Sequence, residues 1–174
     1  MKSKVGLFVG RFQPLHNGHM RALEWILGRC GKLIVLVGSS QRCYEFENPF
    51  TVGERIEMLY RTLKSGGVAD RCLILSIPDI QNNALWVSHI NSLAPRYDVV
   101  FTNNALTRRL FREAGKEVVA IPFFNRKSND GTKIRRAMAK GDGWGKLVPE
   151  EVRKFMGEIR ATERMREISE DDKK

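Results

Sequence analysis

Short apolar runs with β-branched content alternate along this chain with longer stretches whose apolar positions recur every three or four residues. The short runs are Val5 to Val9, Leu33 to Val37, Cys72 to Ile77, Tyr97 to Phe101 and Glu117 to Ile121, and each predicts a strand. Leu33 to Val37 has no polar break, as expected of a strand buried on both faces. The longer stretches predict helices. Residues 17–29 place Met20, Leu23, Ile26 and Leu27 on one face. In residues 51–63, Thr51 and Glu54 have capping-box spacing ahead of Ile56, Leu59 and Leu63. Residues 83–93 read as helical, Leu106, Leu110 and Ala114 mark a helix stopped by Gly115, and residues 132–140 form one ended by Gly141. Pro149, at a first helical position beside Glu150 and Glu151, opens a last helix through Val152, Phe155 and Ile159.

Strand and helix in alternation imply an α/β fold, a Rossmann-like, doubly wound and mainly parallel sheet with helices on both faces. No repeat or low-complexity block interrupts the pattern. The reading is a single domain over residues 1–165, with a charged and frayed tail over residues 166–174. In such sheets ligands bind beyond the carboxyl ends of the strands, at the point where the strand order reverses. The loops that follow strands are therefore the places to look for chemistry.

Charge changes the picture next. The chain has 174 residues with 30 Lys and Arg against 20 Asp and Glu, a formal net charge of +10. Three meanings are open: a basic face for nucleic acid, an enzyme for anionic small molecules such as nucleotides, or solubility alone. Apolar runs fall far short of the roughly 20 residues of a membrane span, and Met1-Lys2-Ser3-Lys4 leads directly into the first strand without the pattern of a secretory leader. Cys30, Cys43 and Cys72 lack C-x-x-C spacing and form neither a disulfide framework nor a structural zinc site. Free thiols suit a reducing compartment, so the expected location is cytoplasmic.

The first strand runs into Gly10-Arg11-Phe12-Gln13-Pro14-Leu15-His16-Asn17-Gly18-His19. This is neither a G-x-G-x-x-G dinucleotide fingerprint nor a Walker A loop. No acidic residue for a ribose follows the second strand, which ends Gly38-Ser39-Ser40. The glycine-rich Gly141-Asp142-Gly143-Trp144-Gly145-Lys146 follows a helix and reads as a cap and turn. His16 and His19, three apart at a helix start, share one face. A helix N-terminus offers free N–H groups to an anion, Gly10 and Gly18 allow close approach of backbone, and Arg11 adds a fork suited to phosphate. Metal binding by the two histidines is the alternative, with no nearby Cys or carboxylate to complete a set. His89, alone on a helix, reads as structural.

A second helix opens Gly131-Thr132-Lys133-Ile134-Arg135-Arg136. Three cations in a first turn oppose the helix dipole, each by roughly 0.3–1 kcal/mol. A bound polyanion clamped by Arg135 would compensate, with Thr132 capping the turn or donating to phosphate. An exposed, screened charge cluster is the alternative.

These two segments resemble the paired signatures of the nucleotidyltransferase superfamily, HxGH and I-S-S/G-T-x-I/V-R. Within it the chain is similar to the archaeal-type nicotinamide-mononucleotide (NMN) adenylyltransferases. That likeness extends to Glu47-Asn48-Pro49-Phe50-Thr51-Val52-Gly53-Glu54-Arg55, to Asp79-Ile80 with Asn83-Ala84-Leu85-Trp86-Val87, and to Phe124-Asn125-Arg126-Lys127, over about residues 4 to 165. The resemblance implies transfer of AMP from ATP to NMN, giving NAD and pyrophosphate, with Mg²⁺ or another divalent cation, and a homo-oligomer, hexamers being common. It implies catalytic roles for His16, His19, Arg11 and Arg135. ATP would meet Gly10, Phe12, Gly18, Thr132 and Phe124, with the backbone of 122–124 lining the adenine site. NMN would meet Asp79, Asn83 and Trp86. No metal ligand from the protein is implied, nor any nucleic-acid or membrane partner. Two positions depart from the family pattern: Asp130 replaces a usual Ser, and Thr102-Asn103-Asn104-Ala105 replaces Ser-Gly-Asn-Pro.

The chemistry suits these residue types. A phosphate monoester has its second pKa near about 6 and is ionised at neutral pH, so no general base is needed. Direct in-line transfer then rests on positioning and electrostatics. Phosphopantetheine and FMN adenylyltransferases share the two signatures and are the nearest rival readings. A basic nucleic-acid-binding module is a rival of another class. Trp86 has a plain alternative as a core residue.

Overall fold

The computed structural model describes residues 3–122 and 130–171. Strands β1 (Val5–Gly10), β2 (Lys32–Val37), β3 (Cys72–Ser76), β4 (Val99–Phe101) and β5 (Glu117–Val119) pair in parallel, in the order β3-β2-β1-β4-β5. Leu7 stands opposite Ile34 on one side and Val100 on the other. The chain winds outward from β1 to β3, then crosses back to β4, so the order reverses between β1 and β4.

The helices are α1 (Asn17–Leu27), α2 (Val52–Ser65), α3 (Trp86–Leu93), α4 (Ala105–Glu113), α5 (Gly131–Lys140), α6 (Glu150–Glu158) and α7 (Ala161–Asp171). Side chains of successive strand residues point to opposite faces, and the central strands obey this strictly. Phe8, Val35, Val37 and Phe101 join the core beneath α1, α2 and α5–α7. Leu7, Ile34, Leu36 and Val100 join a smaller core beneath α3 and α4. Each such aliphatic or aromatic side chain contributes roughly 1.5–3 kcal/mol on burial. This explains the unbroken apolar run of β2.

The expected elements form, with shifts at their ends. Thr51 caps α2 and closes the capping box with Glu54. Gly141 ends α5 in the left-handed region, φ 76°. Residues 83–93 divide into a 3-10 turn, Asn83–Leu85, and α3. β4 starts at Val99, and just before it Asp98 takes the Val5 N–H on its carboxylate at 2.7 Å and donates its own N–H to Val5 O at 2.8 Å. Pro149 is the N-cap of α6, one position before its first turn. The charged segment expected to fray from residue 166 is helical through Asp171, anchored by the fully buried Met165.

Candidate active site

β1 ends at Gly10 and the following loop turns into the head of α1. A Cβ at Gly10 would stand 2.8 Å from the Phe12 ring, so only glycine fits there. Phe12 itself adopts φ 50° and sends its ring into the core, against Phe8 and His19. The Phe12 ring packs against His19, with centroids 4.9 Å apart, so any contact of Phe12 with a nucleotide falls to its backbone. Gln13 is buried and exchanges two hydrogen bonds of 3.0 Å with the backbone of Phe50, tying the loop to the entry of α2.

His16 and His19 form a reciprocal cap. The His19 N–H donates to His16 Nδ1 and the His16 N–H donates to His19 Nδ1, both at 3.3 Å. Their rings stack with centroids 3.6 Å apart. An Nδ1 that accepts must carry its proton on Nε2, so each ring presents one N–H donor. Burial lowers the His16 pKa to about 4, against a smaller opposing pull from Asp130. Burial, and then the His16 charge, holds His19 well below its ordinary value. Both are neutral donors at neutral pH. Because both Nδ1 atoms are engaged with backbone, the pair is not arranged as a metal chelate. Among the described residues no group of three or more His, Cys, Asp or Glu is placed to hold a metal ion.

The two histidines line a cavity of about 490 Å³ at the β1/β4 reversal. Gly10, Gly18, Thr102 to Asn104, Ile121, Pro122, Asp130 and Gly131 also line it. The Thr102-Asn103-Asn104 loop has structural work there. Asn103 bonds both the N–H and the C=O of Ile121, at 2.9 and 2.7 Å, and Asn104 caps α4. Asp130 caps α5 by accepting the Thr132 N–H at 2.9 Å. It is the one carboxylate among the described residues on the cavity wall.

Arg135, the expected phosphate clamp, is held by the chain's own groups. Its side chain is 3% exposed and pairs with the Glu47 carboxylate. It also donates to Gln13 O at 2.9 Å and to Thr132 Oγ1 at 3.2 Å. Burial lowers its pKa, with Glu47 opposing. The cations at the head of α5 are thus partly balanced by the chain's own Asp130 and Glu47. Arg11 is exposed, and its positive charge contributes to the lowered pKa of both Arg135 and Arg55.

Asp79, Asn83 and Trp86 lie beyond β3 and are not on the wall shared by His16 and His19. Asp79 accepts from Ser39 Oγ at 3.1 Å and Gln41 Nε2 at 3.3 Å, joining the loops after β2 and β3. Asn83 is exposed. Trp86 is half-buried against the smaller core, its ring 6.0 Å from His89. His89 Nε2 lies 3.2 Å from Pro78 O. Phe124 falls outside the described residues.

Arg55 was not singled out by motif reasoning. It is fully buried and donates to Arg11 O, Gly38 O and Ser39 O at 2.8–3.1 Å, and to Thr51 O at 3.3 Å. It staples the loops after β1 and β2. Its signal was a cation on the apolar face of α2, in register with Met58, Leu59 and Thr62.

A parallel sheet with a helix-head histidine pair at its reversal point defines a nucleotide-handling α/β protein. Residues 7–137 match the cytidylyltransferase-like family, and the chain belongs to it. Its relatives include the nicotinamide-nucleotide adenylyltransferase of Thermococcus onnurineus, 45% identical over 166 residues, covering 95% of this chain and 89% of that one. The enzyme of the same name from Saccharolobus solfataricus is 44% identical over 169 residues, covering 97% and 98%. Among solved structures, a bifunctional NMN adenylyltransferase/ADP-ribose pyrophosphatase from Francisella tularensis, complexed with AMP and a Mn ion, matches with TM-score 0.81 at 18% identity. It covers 98% of this chain, which spans about half of that longer protein (53%). A putative nicotinate-nucleotide adenylyltransferase from Vibrio parahaemolyticus matches with TM-score 0.64 at 15% identity, covering 88% of this chain and 98% of that one.

Proposed function

We propose that this chain is a nicotinamide-nucleotide adenylyltransferase, transferring AMP from ATP to NMN with release of pyrophosphate. The observation that carries this reading is the neutral, stacked His16–His19 pair facing the cavity at the β1/β4 reversal, in a chain 45% and 44% identical to those two relatives over nearly its whole length.

The reaction follows from the site. An ionised phosphate oxygen of NMN attacks the α-phosphorus of ATP. The new P–O bond forms as the bond to the bridging oxygen breaks, and pyrophosphate leaves with the electron pair. The Nε2–H groups of His16 and His19 donate to phosphate oxygens as charge shifts toward the leaving group, from positions already fixed by their backbone bonds. The N-terminal turn of α1 adds its partial positive charge. Arg11 and Arg135 hold the triphosphate, with Thr132 beside them. Gly10 and Gly18 let ATP approach the backbone, and Phe124 is assigned to the ATP side by the family resemblance alone. Asp79, Asn83 and Trp86 serve the NMN side.

Mg²⁺ or another divalent cation would neutralise the triphosphate, held largely by substrate oxygens and water. Asp130 is the described wall residue with the donor chemistry to meet it. The protein works as a cytoplasmic homo-oligomer, the hexamer being the assembly that the family resemblance implies. Exposed Leu73 on the edge strand β3, with Leu85, Leu93 and Leu106, supports association, and among the described residues no helix is long and apolar enough to cross a membrane.

The test is pyrophosphate release with ATP, Mg²⁺ and each acceptor separately: NMN, nicotinic-acid mononucleotide, phosphopantetheine and FMN. Release with NMN is expected. Release with phosphopantetheine or FMN alone would move the chain to a sibling activity, and salt-dependent RNA binding without turnover would return it to a nucleic-acid module.

A further inference from the structure

Glu47 sits at the tip of a tight turn. The Asn48 N–H donates to Glu45 O at 2.9 Å and the Glu45 N–H to Asn48 O at 3.3 Å, leaving Phe46 and Glu47 between them. The flanks of the turn are anchored. Asn48 is fully buried and donates to Glu45 Oε2 at 3.1 Å, and Arg42 pairs with Glu45 at 2.7 Å. The Glu47 side chain is 52% exposed, yet its carboxylate reaches inward to the guanidinium of Arg135, which is 3% exposed.

This pairing is unequal. Arg135 donates from Nη1 to Gln13 O and from Nη2 to Thr132 Oγ1 as well as to Glu47, and Gln13 and Thr132 are both on segments that border the cavity. Its Nε is buried and finds no acceptor among the described residues. A guanidinium offers five N–H donors in a planar fork matched to two oxygens of a phosphate. Glu47 meets this fork through one oxygen. It is also the partner with solvent on its far side, so a change of its own rotamer suffices to release Arg135. Arg11 adds a second positive charge to the same locality, which favours an incoming polyanion over a single carboxylate.

We propose that Glu47 is an internal surrogate for substrate phosphate: it occupies Arg135 in the free enzyme and is displaced by the polyphosphate of the nucleotide. Glu47 is thus a positioning residue. It keeps a buried cation neutralised and correctly aimed, and it sets a threshold that a single weak anion does not overcome. This rests on the reading of Arg135 as a triphosphate clamp. The apparent affinity for polyphosphate is reduced by the fraction of molecules in which Glu47 is closed.

The test uses inorganic tripolyphosphate as the probe, with binding measured by titration calorimetry at fixed ionic strength. Glu47→Gln keeps the shape and a hydrogen-bond acceptor but removes the competing charge. It is expected to bind tripolyphosphate about tenfold more tightly than the natural protein, as when a state closed in about nine molecules of ten is opened. Glu47→Asp, which keeps the charge with a shorter reach, is expected between the two. In an Arg135→Gln background the Glu47→Gln gain should vanish. Unchanged or weaker binding by Glu47→Gln would overturn the proposal and make the pair a structural tie. So would an equal gain in both backgrounds, which would reduce the effect to general charge. These readouts need no turnover, so a chain that binds tripolyphosphate in this pattern but does not consume ATP and NMN would sink the assigned reaction and leave the Glu47 exchange standing.

Discussion

Each histidine at the head of α1 accepts a backbone N–H at Nδ1, which places its proton on Nε2. The same bonds cap the helix, so tautomer and fold are linked. His19→Ala should lower turnover by roughly 10²–10³, as for loss of one preorganised donor, and reduce stability by about 1 kcal/mol through the lost cap. Steady-state kinetics with a denaturant titration separates the two, and near-normal turnover would reject the role. The pH dependence has a definite sign. Unfolded His16 takes a proton near 6.5 and the folded residue only at about 4. Between those values the unfolded chain binds the extra proton, so stability falls as pH drops from 6.5 toward 4. The full effect of this residue is on the order of 3 kcal/mol. A ¹H–¹⁵N imidazole titration should show His16 still neutral at pH 5.5, and a midpoint near 6.5 would contradict the effect of its burial.

At the scale of elements, α2 and α5 carry the site as much as α1 does. The Thr51–Glu54 box and the cap at Gly141 were legible in the sequence, because caps depend on residues three or four apart. The staple made by Arg55 was not. Its carbonyl partners are 4 to 44 residues away, and no local pattern brings the loops after β1 and β2 to one guanidinium. Arg55→Met should destabilise the protein by about 3 kcal/mol or more, since several buried carbonyls lose their donor at once. It should also loosen Arg11, whose carbonyl it holds, and so raise the KM for ATP. A shift in the urea midpoint with unchanged KM would limit Arg55 to the core. The cation cluster opening α5 teaches the same lesson. The mismatch with the helix dipole was visible, but the partial balance by Asp130 and by Glu47, 88 residues from Arg135, appears only in the folded chain.

Across the whole molecule, α7 governs α5 from behind. Met165 is fully buried, in the core that also holds Ile134 and Met138 of α5, the residues flanking Arg135 on that helix. Met165→Ala should cost roughly 2–5 kcal/mol through the cavity it leaves, read as a lower melting temperature. Because α5 also carries Thr132 and Arg135, tripolyphosphate affinity should fall with it. Intact affinity in the folded variant would show that α7 supports stability alone. The charged C-terminal residues read as a helix that frays into a solvated tail, since a narrow apolar stripe of Ala161 and Met165 is a weak signal among so many ions; the helix runs through Asp171.

By itself the sequence determined the alternation of strand and helix, the parallel sheet, the two phosphate-type signatures and the residue types at the head of α1. These follow from local periodicity, capping chemistry and motif spacing, which short segments carry on their own. Only the tertiary structure decided which strands meet at the reversal, that both histidines are neutral, and that Arg135 is closed off by Glu47. Those properties depend on burial and on contacts between distant segments, and neither exists until the chain has folded.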